Sequence, residues 1–339
     1  MRIAEQLCLI VLAGVTAIAC QRGAEMPAGP AGVIAIDGSS TVFPISEAVA
    51  EEFQKKHAAR VTIGVSGTGG GMQKFCKGEI DIANASRPMQ KAELEACQKA
   101  GVEFIELPVA YDGIAVVVHP ENTFVDQLTT AELKTLWAPE AQGQVTRWSQ
   151  VRAGFPDREV HLFGPGTDSG TFDYFTQAIC GKERASRGDF TSSEDDNVLV
   201  QGISSDPAAL GYFGFAYYQA NRARLKLVPI DDGKPENGAG PMVPSEQTIA
   251  DGRYQPLSRP LFVYVSRKAA ARPEVQAFIA YYLEQAAALI LEVGSVPLPP
   301  RAYALARERF ERRVLGSVFR GEGVKVGVTL EALLAAESE

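Results

Sequence analysis

The sequence predicts an α/β protein with mostly parallel strands, and two observations lead to this fold class. The order of buried strand, Gly/Ser-rich turn and helix occurs three times between residues 33 and 100, which is typical of parallel α/β folds. The 339 residues include 32 Gly and 20 Pro, which favours many tight turns over a long helical bundle. The length suggests two domains.

The first three units are predicted from the spacing of apolar residues. Three short runs rich in Val and Ile are predicted strands: 33–36, 61–65 and 80–82. Each is followed by a predicted helix: one with Ile45, Val49 and Phe53 on one face, one with Met72 and Phe75, and one over 91–100.

The same alternation continues along the rest of the chain. Further strands are predicted at 114–118, 160–163 and 261–265. One helix is predicted from the capping box of Thr129 and Glu132 to Trp137, and another from the apolar face of Phe172, Phe175 and Ile179. Two more are predicted from the cap at 195–197 to Ile203 and over 273–293, where a proline opens the helix.

Charge and histidine content exclude several classes of protein. Acidic residues outnumber Lys and Arg by 41 to 33, for a net charge of −8, and no basic stripe is present. Binding to nucleic acid through phosphate neutralisation is therefore not expected. The three histidines, His57, His119 and His161, lie far apart, and no Cys-x-x-Cys pair occurs. We therefore expect no metal site and no cofactor.

The N-terminus predicts export. Residues 7–19 are apolar or small, a run shorter than the about 20 residues that span a bilayer but typical of a secretory signal. Small residues then precede Cys20, as in a bacterial lipobox. We expect a signal peptide over 1–19, lipidation of Cys20 and a membrane tether over 20–32, which place the protein in the periplasm. An ordinary cleavage site, giving a secreted protein, and a buried N-terminal helix are the alternatives.

Export permits disulfide bonds. Cys76 and Cys97 flank a predicted strand between two helices, and we expect them to pair, with two buried thiols as the alternative. Cys180 is expected to be a small buried residue at the end of a helix.

Three segments place hydroxyl groups at the start of a helix, directly after a strand: 39–41, 66–71 and 169–171. The first amides of a helix have no partner within it, and the helix dipole adds partial positive charge there, so such ends bind anions. Ser and Thr are also ordinary helix caps. Three such segments at strand ends in one α/β chain favour a ligand cleft. Arg87, in the turn 85–88, either adds a guanidinium that suits phosphate or is a surface residue.

Three enzyme classes are disfavoured by the same segments. Residues 168–171 match the aspartic protease signature, but that chemistry needs two facing copies. A serine hydrolase is disfavoured because Ser169 does not lie in a G-x-S-x-G motif. None of the three histidines is in a recognisable arrangement with a catalytic partner. Nucleotide hydrolysis is disfavoured because the glycine run at 66–71 lacks the lysine of a P-loop.

Four motifs in order resemble those of the phosphate-binding proteins of bacterial Pst-type ABC importers: 37–44 (DGSSTVFP), 65–71 (VSGTGGG), 85–88 (ASRP) and 164–174 (GPGTDSGTFDY). Residues 111–114, 257–260 and 296–298 add to the resemblance, which covers the mature chain nearly end to end.

The resemblance implies a type II periplasmic-binding-protein fold, in which two doubly wound α/β lobes close over a ligand cleft. One lobe comprises 33–110 and 257–339, and the other comprises 111–256. It implies a monomeric protein that captures inorganic phosphate and delivers it to an ABC permease, without bond chemistry. Binding of another oxyanion such as sulfate or molybdate is one alternative, and a secreted phosphate-ester hydrolase is another.

The resemblance also implies the ligand contacts: Ser40, Thr41, the amide of Val42, Thr68, Ser86, Ser169, Gly170 and Thr171. Two positions depart from the best-known members of the family. Those members have an Asp that accepts the proton of phosphate where this chain has Ser86. They also have an Arg shortly before the sequence S-G-T, where this chain has Gly164 and Pro165. The cationic contact is therefore assigned to Arg87 or Arg187.

Overall fold

A computed structural model describes residues 32–235, 238–321, 330 and 334–335 of the chain. The predicted signal segment 1–19, Cys20 and the tether up to residue 31 lie outside these residues. Within the described part, no helix has the length and apolar character that a membrane crossing requires.

The strands follow the order β1 (Val33–Gly38), β2 (Arg60–Ile63), β3 (Ile82–Ala85), β4 (Phe104–Val118), β5 (Leu128–Thr129), β6 (His161–Pro165), β7 (Thr191–Ser193), β8 (Ala209–Gly214), β9 (Lys226–Leu227), β10 (Ile230–Asp231), β11 (Ser258–Ser266) and β12 (Val296–Pro297).

The α-helices are α1 (Phe43–Gln54), α2 (Gly67–Cys76), α3 (Lys91–Lys99), α4 (Thr130–Trp137), α5 (Gly170–Cys180), α6 (Asp196–Ser205), α7 (Phe215–Asn221), α8 (Glu246–Ala250), α9 (Arg267–Ala270), α10 (Pro273–Glu292) and α11 (Pro300–Glu311). Short 3-10 turns occur at Pro139–Ala141 and Trp148–Gln150.

The main sheet is mixed and has the order β2-β1-β3-β11-β4-β8-β6-β7. Strand β1 is parallel to β2 and β3, and β6 is parallel to β7 and β8, as the repeated strand–helix units predict. Strand β11 runs antiparallel to β3 and β4, and β8 runs antiparallel to β4. The predicted α/β class is confirmed, but the expectation of mostly parallel strands is wrong, because the central strands β11, β4 and β8 pair antiparallel.

Strand β4 connects two hydrophobic cores. Its residues up to Gly113 pair with β11, and its residues from Ile114 pair with β8. The first core contains residues from Ile34 to Ala110 and from Leu261 onwards. The second core contains residues from Ile114 to Leu257, together with Val296. The lobe boundaries drawn from the sequence stay a prediction, although the two cores divide at nearly the same positions.

The glycine run 66–71 differs from its prediction as a turn, because α2 already begins at Gly67. A Cβ atom at Gly71 would lie 2.5 Å from the Cα of Gly38, so the helix packs against the end of β1 at a distance that only glycine permits. Elements that the pattern did not predict include β8, α7 and α11.

The predicted disulfide is confirmed. Cys76, the last residue of α2, is bonded to Cys97 of α3, and these two helices flank β3. Cys180 is a free thiol at the end of α5 and is half-buried.

Reduction of this disulfide is expected to lower the free energy of unfolding. A cross-link that closes a loop of 21 residues stabilises a protein by about 2–4 kcal/mol, because it restricts the unfolded chain. Urea unfolding of the double variant Cys76→Ser/Cys97→Ser measures the loss, with Cys180→Ser as the control that keeps the bond. Equal urea midpoints for the double variant and wild type would contradict the prediction.

Candidate functional site

Two buried threonines that are far apart in the chain meet where the two cores adjoin. Thr41 lies in the turn between β1 and α1, and Thr171 lies in the first turn of α5. Their Oγ1 atoms are 3.2 Å apart, and both side chains are shielded from solvent. The turn before α1 and the start of α5 therefore present their hydroxyl groups to the same point.

Arg259, on β11, provides the positive charge at this point. Its Nη2 donates to the Oγ1 of Thr171 at 2.7 Å and to the Oγ1 of Thr41 at 3.3 Å. The side chain is fully buried, and its Nη1 has no hydrogen-bond partner among the described residues. A buried donor without an acceptor costs free energy, so this guanidinium is arranged to receive an acceptor from a ligand.

Asp112, on β4, holds the guanidinium in place. Its Oδ2 accepts from Nη2 of Arg259 at 2.8 Å and from Nε at 3.1 Å, while Oδ1 accepts from the amide of Phe215 at 3.1 Å. Burial raises the pKa of Asp112, and the charge of Arg259 acts in the opposite direction. The two residues are cross-strand partners in the register of β11 and β4, which fixes the direction of the arginine side chain.

A second pair of hydroxyl groups lies on the side of the first core. Thr68 in α2 and Ser86 after β3 place their hydroxyl oxygens 3.2 Å apart, and the amide of Ser86 donates to the Oγ1 of Thr68 at 3.1 Å. Gly170, the first residue of α5, lies against both. A Cβ atom at Gly170 would be 2.5 Å from each of the two hydroxyl oxygens.

Backbone contacts hold α5 against α2 at this junction. The amide of Gly69 donates to the carbonyl oxygen of Asp168 at 2.9 Å. Ser169 caps α5, and its Oγ accepts from the amide of Thr171 at 3.1 Å. The starts of two helices, whose first amides have no partner further up the helix, therefore converge on the hydroxyl groups, as the anion-site prediction requires.

Ser40 and Val42 complete the turn before α1, and both are buried. The hydroxyl of Tyr217 donates to the carbonyl oxygen of Ser40 at 3.0 Å, so a residue of α7 supports the turn. Val42 occupies the N-cap position of α1. Its amide belongs to the helix start that faces Thr171.

The two arginines assigned from the sequence are placed differently. Arg87 lies next to Ser86, but its guanidinium is bonded to Glu93 and Asp173. Arg187 is not brought to this cluster. It pairs with Asp189 and donates to the carbonyl oxygens of Leu136 and Val145. The assignment of Arg187 as the cationic contact stays a prediction, and the structure uses its donors inside the second core.

Arg259 and Asp112 were missed as functional residues, although a signal for both was present. Arg259 is the one charged residue of β11, and Asp112 is one of two in the otherwise mostly apolar β4. Buried charges are rarely found without a partner. The motifs at 111–114 and 257–260 contain them.

The site carries little net positive charge. Besides Asp112, the buried Asp196 at the start of α6 lies near Arg259, and burial raises the pKa of Asp196 to about 7. The positive charge of Arg259 opposes this shift. An anion at this point therefore depends on hydrogen bonds from hydroxyl groups, amides and one guanidinium. In the described part of the chain, no group of three or more His, Cys, Asp or Glu residues is arranged to hold a metal ion.

Comparisons with known proteins agree with this arrangement. Residues 25–286 match the model of the PBP superfamily domain. The chain is 51% identical to Protein SphX of Synechococcus elongatus over 90% of this chain and 89% of the relative. It is 36% identical to the phosphate-binding protein PstS of Staphylococcus aureus over 79% of both chains.

A solved structure extends the comparison. It is described as a possible phosphate binding protein from Planctomyces limnophilus, at 46% identity and a TM-score of 0.63, and the match covers 84% of this chain and all of that one. These matches confirm the family and the fold that the sequence motifs implied.

Proposed function

Because this chain belongs to the PBP superfamily, we propose that it captures inorganic phosphate outside the cytoplasm and delivers it to an ABC permease. The observation that carries the proposal is the buried guanidinium of Arg259, whose Nη1 lacks a partner among the described residues while its Nη2 reaches two threonine hydroxyls. The names of the PstS and Planctomyces limnophilus relatives support phosphate as the anion.

The phosphate oxygens accept hydrogen bonds from three kinds of donor: the guanidinium, the hydroxyl groups and the helix-start amides. The proposed contacts are Arg259, Ser40, Thr41, Val42, Thr68, Ser86, Ser169, Gly170 and Thr171. The hydroxyl groups of Thr41 and Thr171 bond to each other, as do those of Thr68 and Ser86. When phosphate binds, these hydroxyl groups turn towards it. Because these contacts come from both sides of the junction between the cores, bound phosphate stabilises the closed arrangement of the two lobes, 33–110 with 257–339 and 111–256.

The remaining parts of the proposal concern location and assembly. We propose that residues 1–19 direct export, that a lipid on Cys20 anchors the tether 20–32 to the membrane, and that the protein acts as a monomer. Radiolabelled palmitate should be incorporated by the wild type but not by Cys20→Ala. Equal incorporation by both would contradict the anchor.

A binding protein and a phosphate-ester hydrolase are separated by one pair of measurements. We expect equilibrium dialysis to retain one radiolabelled phosphate per chain, because the described residues contain one such guanidinium site. We expect no turnover of p-nitrophenyl phosphate, since the proposed mechanism breaks no bond. Sustained turnover that scales with protein concentration would contradict the proposal.

Ser169→Ala is expected to weaken phosphate binding by about tenfold to a few hundredfold, since a hydrogen bond to a charged ligand contributes about 1.5–3 kcal/mol. Loss of a helix cap also costs about 1 kcal/mol of stability. Ser245→Ala is the matched control, because Ser245 caps α8 through the same type of bond, to the amide of Thr248.

Calorimetric titration at low and physiological salt concentrations checks both effects. A buried ligand is little screened, so the wild-type affinity should fall only weakly as salt rises. A steep salt dependence, together with equal affinities of wild type and Ser169→Ala, would contradict binding at the helix start.

A further inference from the structure

We infer that Arg87 and Asp173 form a positioning pair that holds the start of α5 against Ser86, and that Arg87 itself makes no contact with the ligand. The inference rests on the proposed function, since the positioned segments are the proposed anion contacts. It assigns Arg87, a natural candidate for a phosphate contact, to a different role.

All three nitrogens of the Arg87 guanidinium are bonded to protein acceptors. Nε donates to the Oδ2 of Asp173 at 2.8 Å. Nη1 and Nη2 each donate to a carboxylate oxygen of Glu93 at 2.8 Å, and Nη1 also donates to the carbonyl oxygen of Pro88 at 3.1 Å. The side chain is 3% exposed. Two carboxylates already balance its charge, so the guanidinium is not arranged to receive a further anion.

Asp173 connects this guanidinium to the anion-binding end of α5. It lies three residues after Gly170, in the first turn of the helix, and its side chain is fully buried. Its Oδ1 accepts from Nε of Arg184 at 3.2 Å, and this second arginine is half-exposed. Fixing Asp173 therefore fixes the first turn of α5, whose residues Gly170 and Thr171 face the hydroxyl groups.

The pair joins elements of the two cores. Arg87 directly follows Ser86, and Glu93 lies in α3 on the side of the first core. Asp173 belongs to α5, which packs its Phe175 and Ile179 into the second core. A nearby bond between Gln90 and Glu183 also crosses the junction. Loss of either charge removes this direct ion pair across the junction, although Glu93 remains bonded to Arg87 and Arg184 remains bonded to Asp173. The two surfaces are then held together less tightly, which favours their separation.

A double-mutant cycle tests whether Arg87 acts through Asp173. We expect Arg87→Met and Asp173→Asn each to weaken phosphate binding at least tenfold, and the double variant to bind no more weakly than the weaker single variant. If Arg87 contacted phosphate directly, Arg87→Met would cause the same fold-loss in the Asp173→Asn background as in wild type. That additive result would overturn the inference. Arg87→Lys, which keeps the charge, should recover part of the affinity.

A distance measurement without phosphate separates this inference from the proposed function. Spin labels at the exposed positions Glu95 and Glu140, in a Cys180→Ser background, report on the two sides of the junction. We expect Arg87→Met to broaden the distance distribution towards longer values. Arg187→Met is the matched control, because it removes a buried arginine whose acceptors all lie on the second-core side of the junction.

An unchanged distribution in Arg87→Met would overturn the positioning role. If wild type failed to bind phosphate, the proposed function would fail while the distance measurement still decided the role of the pair. Thermal unfolding of each variant identifies any that do not fold. If Arg87→Met does not fold, Arg87→Lys replaces it in the distance measurement.

Discussion

Arg259→Lys is expected to weaken phosphate binding by about tenfold to more than a hundredfold. A lysine ammonium lacks the planar fork through which Arg259 reaches Asp112 and both threonines. Each lost hydrogen bond to the charged ligand costs about 1.5–3 kcal/mol, and every 1.4 kcal/mol is about a tenfold change in affinity. The retained positive charge limits the damage to the fold, because Asp112 keeps a cationic neighbour.

Arg187→Lys is the matched control for this variant. Arg187 is likewise buried and bonded to a carboxylate, but it lies away from the hydroxyl groups. We expect the two variants to lose similar thermal stability and only Arg259→Lys to lose affinity in calorimetric titration. Wild-type affinity in Arg259→Lys would contradict the role of Arg259 as the cationic contact.

Gly170→Ala is expected to weaken phosphate binding by a hundredfold or more. The added methyl group would lie 2.5 Å from the hydroxyl oxygens of Thr68 and Ser86. It would also lie 3.0 Å from the Cβ atom of Thr68, which no rotation of that side chain can move, so α5 must move away from the hydroxyl groups. Because the clash lies between the two cores, we expect the unfolding midpoint to change little.

Gly188→Ala is the control for the added methyl group, since its Cβ would meet its nearest atom at an ordinary 3.6 Å. Titration of phosphate into both variants measures the difference. Equal affinities would show that Gly170 does not face the ligand, and they would remove α5 from the proposed contact set.

The parts of the fold that depend on local patterns could be predicted from the sequence. The spacing of Ile45, Val49 and Phe53 predicts α1, and all three residues are buried in it. The capping box of Thr129 and Glu132 likewise marks the start of α4. Such signals lie within a few residues of each other, so no knowledge of the tertiary structure is needed.

The charged part of the site could not be predicted in the same way, because it depends on pairing between distant strands. Asp112 and Arg259 lie 147 residues apart, and they meet only through the register of β4 and β11. Arg87 could be placed next to Ser86 from the sequence, but its partner Asp173 lies 86 residues later in the chain. The sequence therefore predicts the hydroxyl groups of the proposed site, but it assigns the cationic contact to Arg87 or Arg187, whereas the proposed contact is Arg259.

The central claim is that one site, built from Arg259 and the starts of α1, α2 and α5, binds inorganic phosphate. Calorimetric titration of the purified mature protein with phosphate, in the presence and absence of excess sulfate, tests it most directly. We predict one phosphate per chain, with wild-type affinity retained in sulfate and lost in Arg259→Lys. Absence of binding heat at millimolar phosphate, or full competition by sulfate, would contradict the claim.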